Sequence, residues 1–478
     1  MKEKRHARKD SSVQSPRHRL SFFLSVAQCI SAWAASPKQT VLYSFQGTPD
    51  GFSPSGRLAM DKAGNLYGTT WFGGTGAPTC EFGTCGTVFQ LTPPATSGGA
   101  WTESVIYNFQ GYTLDDGSTP TGGVIWGKGD KLYGVTAYGG GGACTLLGGH
   151  AGCGTVYELT PPATTGGAWT ETVIYSFQGG SDGYFAVGEL VADKEGNLYG
   201  STYFGGGYGT CDYGIYPYCG TVFELSPPTV EGGAWTQRVL YSFKSGTDGA
   251  QPNGGLVLDT DGAIYGTTFD GGNTGCNIGY PVGCGTIFKL IPPPTCQNEG
   301  VWREQVLYRF PLDGLHGATP WGGMVFDENG NLYGTTEYGG WTQPTPGGTV
   351  FRLSRSAAKD HWILRTLFSF QFGSFSKTGG LPTATVILDA RGNIYGTTSS
   401  FGPFDAGTIF RLKSPSVLND RWQFDVLHSF EGTPDGAAPR SQLVIGAGGH
   451  LYGSAYSGGD GTNCYPLTTC GVVYEIAP

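Results

Sequence analysis

One tripeptide, Leu/Ile-Tyr-Gly, recurs along the whole chain and limits what it can fold into. Its tyrosine falls at Tyr67, Tyr133, Tyr199, Tyr265, Tyr333, Tyr395 and Tyr452, at intervals of 57 to 68 residues. An even interval of this size marks a tandem array, in which each unit is one supersecondary element packed on the next. Seven units fill residues 35–478 as a single repeat domain and leave no room for a second.

One unit can be read over residues 53–110. The run SGRLAMD is followed by the turn residues Asp61-Lys62-Ala63-Gly64-Asn65 and then LYGTT. After Gly73 and Gly74 and a variable loop come GTVFQLTPP and, past ATSGGA, WTESVIYNF. Each run is short, rich in β-branched and aromatic residues, and bounded by Gly, Pro, Asn or Asp, as strands are. The unit predicts four antiparallel strands. Seven such units predict an all-β fold, a seven-bladed β-propeller of four-stranded antiparallel blades. A β-solenoid also repeats, but its coils are much shorter than about 60 residues. In the last strand a period of two places Trp101, Val105, Tyr107 and Phe109 on one face, and Thr102, Ser104, Ile106 and Asn108 on the other. The 83 glycines accompany 13% aromatic residues, which argues for strands and tight turns over a disordered Gly-rich polymer.

The two ends of the array complement each other. The seventh unit runs SQLVIGAGG, HLYGSA, GVVYEIAP and stops at Pro478, one strand short. TVLYSFQG at 40–47 resembles SVIYNFQG at 104, TVIYSFQG at 172 and RVLYSFKS at 238. Residues 40–46 are therefore expected to form the outer strand of the last blade, closing the ring and covering an edge that could recruit another chain.

Residues 1–19 carry seven basic residues against Glu3 and Asp10, and LSFFLSVAQCISAWA follows, ending in Ala32-Trp33-Ala34. This is the layout of a secretory signal over residues 1–34. It is short for a membrane span, and an uncleaved N-terminal anchor is the alternative. Cleavage after Ala34 leaves 28 − 7 = 21 basic and 37 − 2 = 35 acidic residues, a net charge of −14. That charge disfavours nucleic acid and anionic membrane as partners. The expected location is secreted, extracellular or periplasmic.

Of the 12 cysteines, ten form local pairs: Cys80/Cys85, Cys144/Cys153, Cys211/Cys219, Cys276/Cys284 and Cys464/Cys470. The second of each pair directly precedes the Gly of the third strand. Units five and six lack both members, reading TPGGTVF and FDAGTIF. Joint loss is what disulfides predict, and each would pin the loop between strands two and three by about 2–3 kcal/mol in the chain-entropy account. Metal binding would need Cys-x-x-Cys or histidines at ligand spacing, and His150 alone between Cys144 and Cys153 does not supply it. Cys296 is left as an unpaired thiol.

Two sets of residues are candidates for binding. The motif Asp-Gly-x-x-Pro, with variants, places Asp50, Asp116, Asp182, Asp248 and Asp435, with His316 in unit five, on the between-blade loops. Those loops share a face with the loops between strands two and three. Such a crown could bind sugar hydroxyls or a cation. Asp-Gly is equally turn chemistry that caps local N–H groups, the favoured reading for a motif that follows the repeat. The second set breaks the repeat: His316, Trp321, Glu337, Tyr338 and Trp341 in unit five combine an acid, an imidazole and aromatic rings. Aromatic residues also follow the second strands, at Trp71, Phe72, Tyr138, Tyr203, Phe204, Phe269, Tyr338 and Tyr456, fit either to stack on sugar rings or to pack between blades.

The remaining motifs point away from catalysis. Asp61, Asp193, Asp259, Asp327 and Asp389 read as hairpin turns, and DTDG at 259–262 lacks the further ligands of a calcium loop. GGSDG at 179–183 lacks the strand-to-helix elbow that a nucleophilic serine needs. Metals and cofactors are not expected.

The recurrent order NLYGTT…GG…CGTVFELTPP…W…VLYSF resembles the GloVer (Gloeobacter/Verrucomicrobia-type) tandem repeats over residues 41–478. The shorter DxxGNLYG is similar to NHL-type propeller repeats. The first resemblance implies an exported bacterial repeat protein, a group that often carries a C-terminal anchor, and it implies no particular reaction. This sequence ends on a strand, without an anchor helix or sorting tail. The expectation is a monomeric, secreted, non-enzymatic binding or scaffold propeller that recognises extracellular glycan or protein, multivalently because its blades are alike. The alternative is a carbohydrate-active enzyme, hydrolase or lyase, with an acidic central pocket.

Overall fold

In the first blade the short runs become Phe52–Met60, Leu66–Phe72, Thr87–Thr92 and Thr102–Asn108, hydrogen-bonded in that order. Every pairing is antiparallel. Seven sheets of this kind make an all-β, seven-bladed propeller. The computed structural model describes residues 37–477 apart from 76–79, 81–83, 97, 112–114, 143, 145–151, 165, 208–210, 212–218, 231, 273–282, 295–299, 312, 314, 341–346, 359–360, 374–375, 417–420 and 465–466. The signal expected at 1–34 lies outside those residues. Among the described residues there is no α-helix, only 3-10 turns at Lys128–Asp130, Gly180–Asp182 and Ala447–Gly449.

The last blade closes the ring with the N-terminal strand. Lys38–Ser44 pairs antiparallel with Val472–Ala477, Lys38 opposite Ala477 and Ser44 opposite Val472. Phe45 is then fully buried, and its N–H donates to the Gly471 carbonyl at 3.1 Å. The first strand of each blade is innermost, and those of blades one and three come into contact across the ring.

The repeated tripeptide has a separate task for each residue. Leu66 is fully buried in the core. Tyr67 donates its hydroxyl to Asp61 Oδ2 at 3.2 Å, while Asp61 Oδ1 accepts the Ala63 and Asn65 N–H groups at 2.9 Å, so the hairpin turn is tied to the strand that leaves it. Gly68 leaves room for the third strand: a Cβ there would lie 2.6 Å from Phe89 Cζ. The tyrosine also receives the next blade. Trp169 meets Tyr67 edge-on at 5.9 Å, and Trp235 meets Tyr133 in the same way at 5.9 Å. These buried aromatic contacts hold neighbouring blades together.

Blades two and seven have glycine, Gly127 and Gly446, where the others have the turn aspartate. Their tyrosines turn instead to an acid on the third strand. Tyr133 donates to Glu158 Oε2 at 2.8 Å and Tyr452 to Glu475 Oε1 at 2.8 Å. The carboxylate has moved while its bond to tyrosine is kept.

Strict alternation fails in the outer strand. The register skips a residue between Val105 and Tyr107, and the same bulge recurs in the outer strands of the other blades. The skipped position, expected on the face of Thr102 and Ser104, instead packs into the apolar interior. Ile106 lies against a buried cluster, and Leu42, Leu240 and Leu307 at the matching positions are buried. A bulge adds one residue to one strand and re-aims its side chain.

Candidate functional site

The described cysteines bond as their spacing predicts. Cys80–Cys85, Cys144–Cys153, Cys211–Cys219 and Cys464–Cys470 are disulfides, with Cα–Cα separations of 5.1 to 5.3 Å. Cys284 is disulfide-bonded as well. Cys276, its expected partner, and Cys296 lie outside the described residues. The bridges brace the face where the second strands end and the first strands begin.

The aspartate crown lies at the outer part of that face. Each carboxylate is held by its own blade boundary. Asp50 Oδ2 accepts the Tyr43 hydroxyl at 3.0 Å and the Gln46 N–H at 2.8 Å. Asp116 does the same for Tyr107 at 2.9 Å and Gln110 at 2.6 Å. Asp182 serves Tyr175 and Gln178, both at 2.7 Å, and Asp248 serves Tyr241 at 2.8 Å and Lys244 at 2.7 Å. In the last boundary His428 replaces the tyrosine and lies 2.8 Å from Asp435. The geometry is that of the turn-capping reading. His316 pairs locally with Asp313 at 2.5 Å.

The concave feature of the face is elsewhere, at its centre. A cavity of about 680 Å³ is walled by the inner strands of all seven blades. Its wall includes backbone where the inner segments of neighbouring blades meet at glycines. A Cβ on Gly56 would lie 2.1 Å from the Gly123 nitrogen, and one on Gly123 would lie 2.0 Å from the Arg57 carbonyl oxygen. Larger residues at these points would push the blades apart.

Onto this wall each blade projects one side chain from the same place in its unit. It directly follows the proline of the between-blade motif, or Ala186 in blade three. In chain order the residues are Ser55, Thr121, Val187, Asn253, Trp321, Thr383 and Arg440, and all seven line the cavity. The scaffold repeats, yet this position carries six residue types in seven blades, threonine alone occurring twice, at Thr121 and Thr383. The ends of the second strands add Trp71, Tyr138, Tyr203, Phe269, Glu337 and Tyr338 around the mouth. Glu337 stands where blades one, three, four and seven have Trp71, Tyr203, Phe269 and Tyr456. Aromatic rings at these strand ends pack edge-on across blade boundaries, one of the two roles the sequence allowed, and several of them also line the cavity. Trp71 lies 5.7 Å from Tyr456, Tyr138 lies 5.2 Å from Phe185, and Phe269 lies 5.1 Å from Trp321.

Of the unit-five cluster, Trp321, Glu337 and Tyr338 line the cavity together, His316 does not, and Trp341 lies outside the described residues. Sequence reasoning passed over Glu189, Asn253, Thr383 and Arg440, since it searched for residues that recur. Their signal was variability at one fixed position of the repeat, or two residues beyond it for Glu189.

Several of the lining residues carry buried polar groups. Asn253 is 8% exposed. Its Nδ2, together with the buried Trp71 Nε1 and Thr383 Oγ1, reaches no hydrogen-bond partner among the described residues. Buried donors without partners are costly. Glu189 Oε1 accepts the Arg57 N–H at 3.1 Å, bridging blades one and three. Burial pushes the Glu189 carboxyl up, partly offset by Arg57. Burial also pushes Glu337 up to about 7, against the pull of Arg440 and the Tyr338 hydroxyl. Arg440 lies over the Tyr456 ring at 4.9 Å and is the one cation among the described lining residues.

The model of the Gloeobacter/Verrucomicrobia repeat matches residues 30–209 and 143–292. No curated protein matches the sequence. Among solved structures, the chain is similar to a periplasmic gluconolactonase from Pseudomonas aeruginosa, at 13% identity and a TM-score of 0.46, covering 82% of this chain and 95% of that one. It is similar to a putative 6-phosphogluconolactonase from Bacteroides uniformis, at 14% identity and 0.44, covering 77% and 84%. It is also similar to the PQQ-bound form of an aldose sugar dehydrogenase from Streptomyces coelicolor, at 12% identity and 0.38, covering 93% and 99%. At these identities the reading of the site rests on the chain's own residues.

Proposed function

We propose that this protein, which belongs to the Gloeobacter/Verrucomicrobia repeat family, is a carbohydrate-binding propeller that takes one sugar ligand per chain in its central cavity. The observation that carries this reading is the set of seven side chains of six kinds, Ser55 to Arg440, presented to one space by seven like blades. Apolar ring faces with a few convergent donors and acceptors suit a molecule that is apolar on one side and hydroxylated at its edges. Asn253 Nδ2 and Trp71 Nε1 supply donors, and the Glu189 and Glu337 carboxyls supply acceptors. Since the lining differs from blade to blade, the stoichiometry is one, in place of the multivalency that blade similarity alone suggests.

A second reading, glycoside cleavage, is favoured by Glu337. A carboxyl raised to about 7 is half protonated near neutral pH, as a general acid should be. Export is part of the same proposal: the disulfides fit an oxidising compartment, and residues 1–34 serve as its signal. Protein recovered outside the cell with residues 1–34 still attached would overturn that part.

Calorimetric titration with a panel of neutral and acidic mono- and oligosaccharides, run beside a reducing-sugar assay, tests the site. Saturable binding at one site per chain, weakened about tenfold or more in Trp71→Ala, is expected. Binding that Trp71→Ala and Asn253→Ala leave untouched would refute it. Turnover lost in Glu337→Gln would replace binding by catalysis.

A further inference from the structure

The loops between strands two and three differ in length from blade to blade. In blades one to four, 17 to 19 residues separate the paired threonines that open and close the loop between strands two and three. In blade five, Thr336 and Thr349 are 13 apart, and in blade six Thr398 and Thr408 are 10 apart. These two blades also lack the cysteine pair. On this side the chain has the fewest residues with which to surround the mouth.

Among the described residues, the large exposed aromatic side chains lie in this sector. Trp321 is 39% exposed, Phe372 42% and Phe404 55%. Trp321 belongs to both environments, since it lines the cavity and is braced edge-on by Phe269 at 5.1 Å. Phe372 packs on Phe401 at a ring distance of 4.5 Å. Phe401 in turn stands over Gly380, where a Cβ would lie 2.7 Å from its Cδ2. Gly380 adjoins the cavity-lining Leu381, and Phe401 adjoins the cavity-lining Ser400. Exposed aromatic side chains of blades five and six thus include Trp321, which lines the cavity, and Phe372, whose partner Phe401 adjoins a lining residue.

We infer that the protein binds a sugar chain, one end of which occupies the central cavity beside Trp321 while the following units lie outward over Phe372 and Phe404. The inference rests on the cavity reading and extends it from a single sugar to an oligosaccharide or polysaccharide. A closed pocket suits a monosaccharide. A pocket that opens sideways onto exposed rings suits a chain, because each further unit covers another apolar surface.

The test is a length ladder. Cello-, xylo- and malto-oligosaccharides of one to six units are titrated against the whole protein, its Phe372→Ala/Phe404→Ala variant and its Trp71→Ala variant. For the series that binds, affinity should rise about tenfold or more between one unit and four. The Phe372→Ala/Phe404→Ala variant should hold the tetramer no more tightly than the parent holds the monomer, with monomer affinity unchanged. Trp71→Ala should weaken every length alike. A parent affinity flat with length, or a length dependence that survives the double variant, overturns the chain inference and leaves the cavity reading standing. Absence of binding in all three series at every length counts against both.

Discussion

If the N-terminal strand is a full member of the seventh blade, then Phe45→Ala should cost as much as the same change in the middle of the chain. Phe45 is fully buried, meets Phe89 edge-on at 5.1 Å and Tyr43 at 5.3 Å, and is pinned through its backbone N–H to Gly471. Phe177 has the same setting in blade two, fully buried and 5.2 Å from Phe223. Truncating a buried phenylalanine to alanine costs about 3–5 kcal/mol. Unfolding entropy of about 2.1 cal/mol/K per residue over a ring of roughly 440 residues gives roughly 0.9 kcal/mol/K, so Tm should fall by about 3–5 °C. Urea denaturation and calorimetry of both variants measure it, and limited proteolysis reports whether the N-terminal strand has come loose. The reasoning fails if Phe45→Ala stays within about 1 kcal/mol of the parent while Phe177→Ala shows the full loss. The strand would then be a tail docked on a ring that is stable without it.

Two further outcomes follow from carboxyl groups in the blade boundaries. Burial, and next the charges of Asp50 and Asp116, push Glu103 and Glu171 up to about 8, and burial with Asp248 pushes Glu304 to about 7. Folded values above the unfolded carboxylate range mean stability that is present in full below about pH 4.5 and lost as pH rises through 7 to 8. Tm should therefore drop between pH 5 and pH 8.5, and the drop should shrink to the part owed to the cavity carboxyls in a Glu103→Gln/Glu171→Gln/Glu304→Gln variant; an undiminished drop would refute the assignment. The displaced turn acid gives the other test. Glu158→Ala leaves the buried Tyr133 hydroxyl without its acceptor and should cost about 1–3 kcal/mol. Glu224→Ala should cost less than about 1 kcal/mol, because Tyr199 also reaches Asp193 at 3.1 Å, and equal losses in urea unfolding would contradict this.

How far the fold could be read from the sequence depended on what each residue has to do. Leu66, Tyr67 and Gly68 serve the blade itself, so every blade needs them and they recur at a legible spacing. The closing strand was legible for the same reason: TVLYSF repeats a pattern already assigned to an outer strand. The bulge at Ile106 was not, because alternation of side chains predicts a regular ladder, and nothing in the residue type marks where one position drops out of register. The aspartates of the between-blade motif were legible as turn caps by the same logic. Their recurrence drew attention to a crown, yet recurrence is what a turn cap requires of every blade, and the Tyr43–Asp50 and Tyr107–Asp116 bonds show the carboxylates so employed.

A ring of like units imposes a rule on where an individual ligand can be recognised. Any residue that holds the blade must be nearly the same in all seven, so it cannot tell one part of a ligand from another. Discrimination has to come from a position the blade leaves free. The residue after the motif proline meets that condition: it follows a motif fixed by the turn, it precedes a glycine or a small residue fixed by contact with the neighbouring blade, and it faces the central space. There the seven blades carry hydroxyl, aliphatic, amide, indole and guanidinium groups. Glu337 shows the same freedom at a second position, an acid where four other blades have an aromatic ring, Trp71, Tyr203, Phe269 and Tyr456. The repeat therefore separates the two kinds of information. Periodic residues encode the ring, and the substitutions that break their period on the channel side encode what the ring can hold.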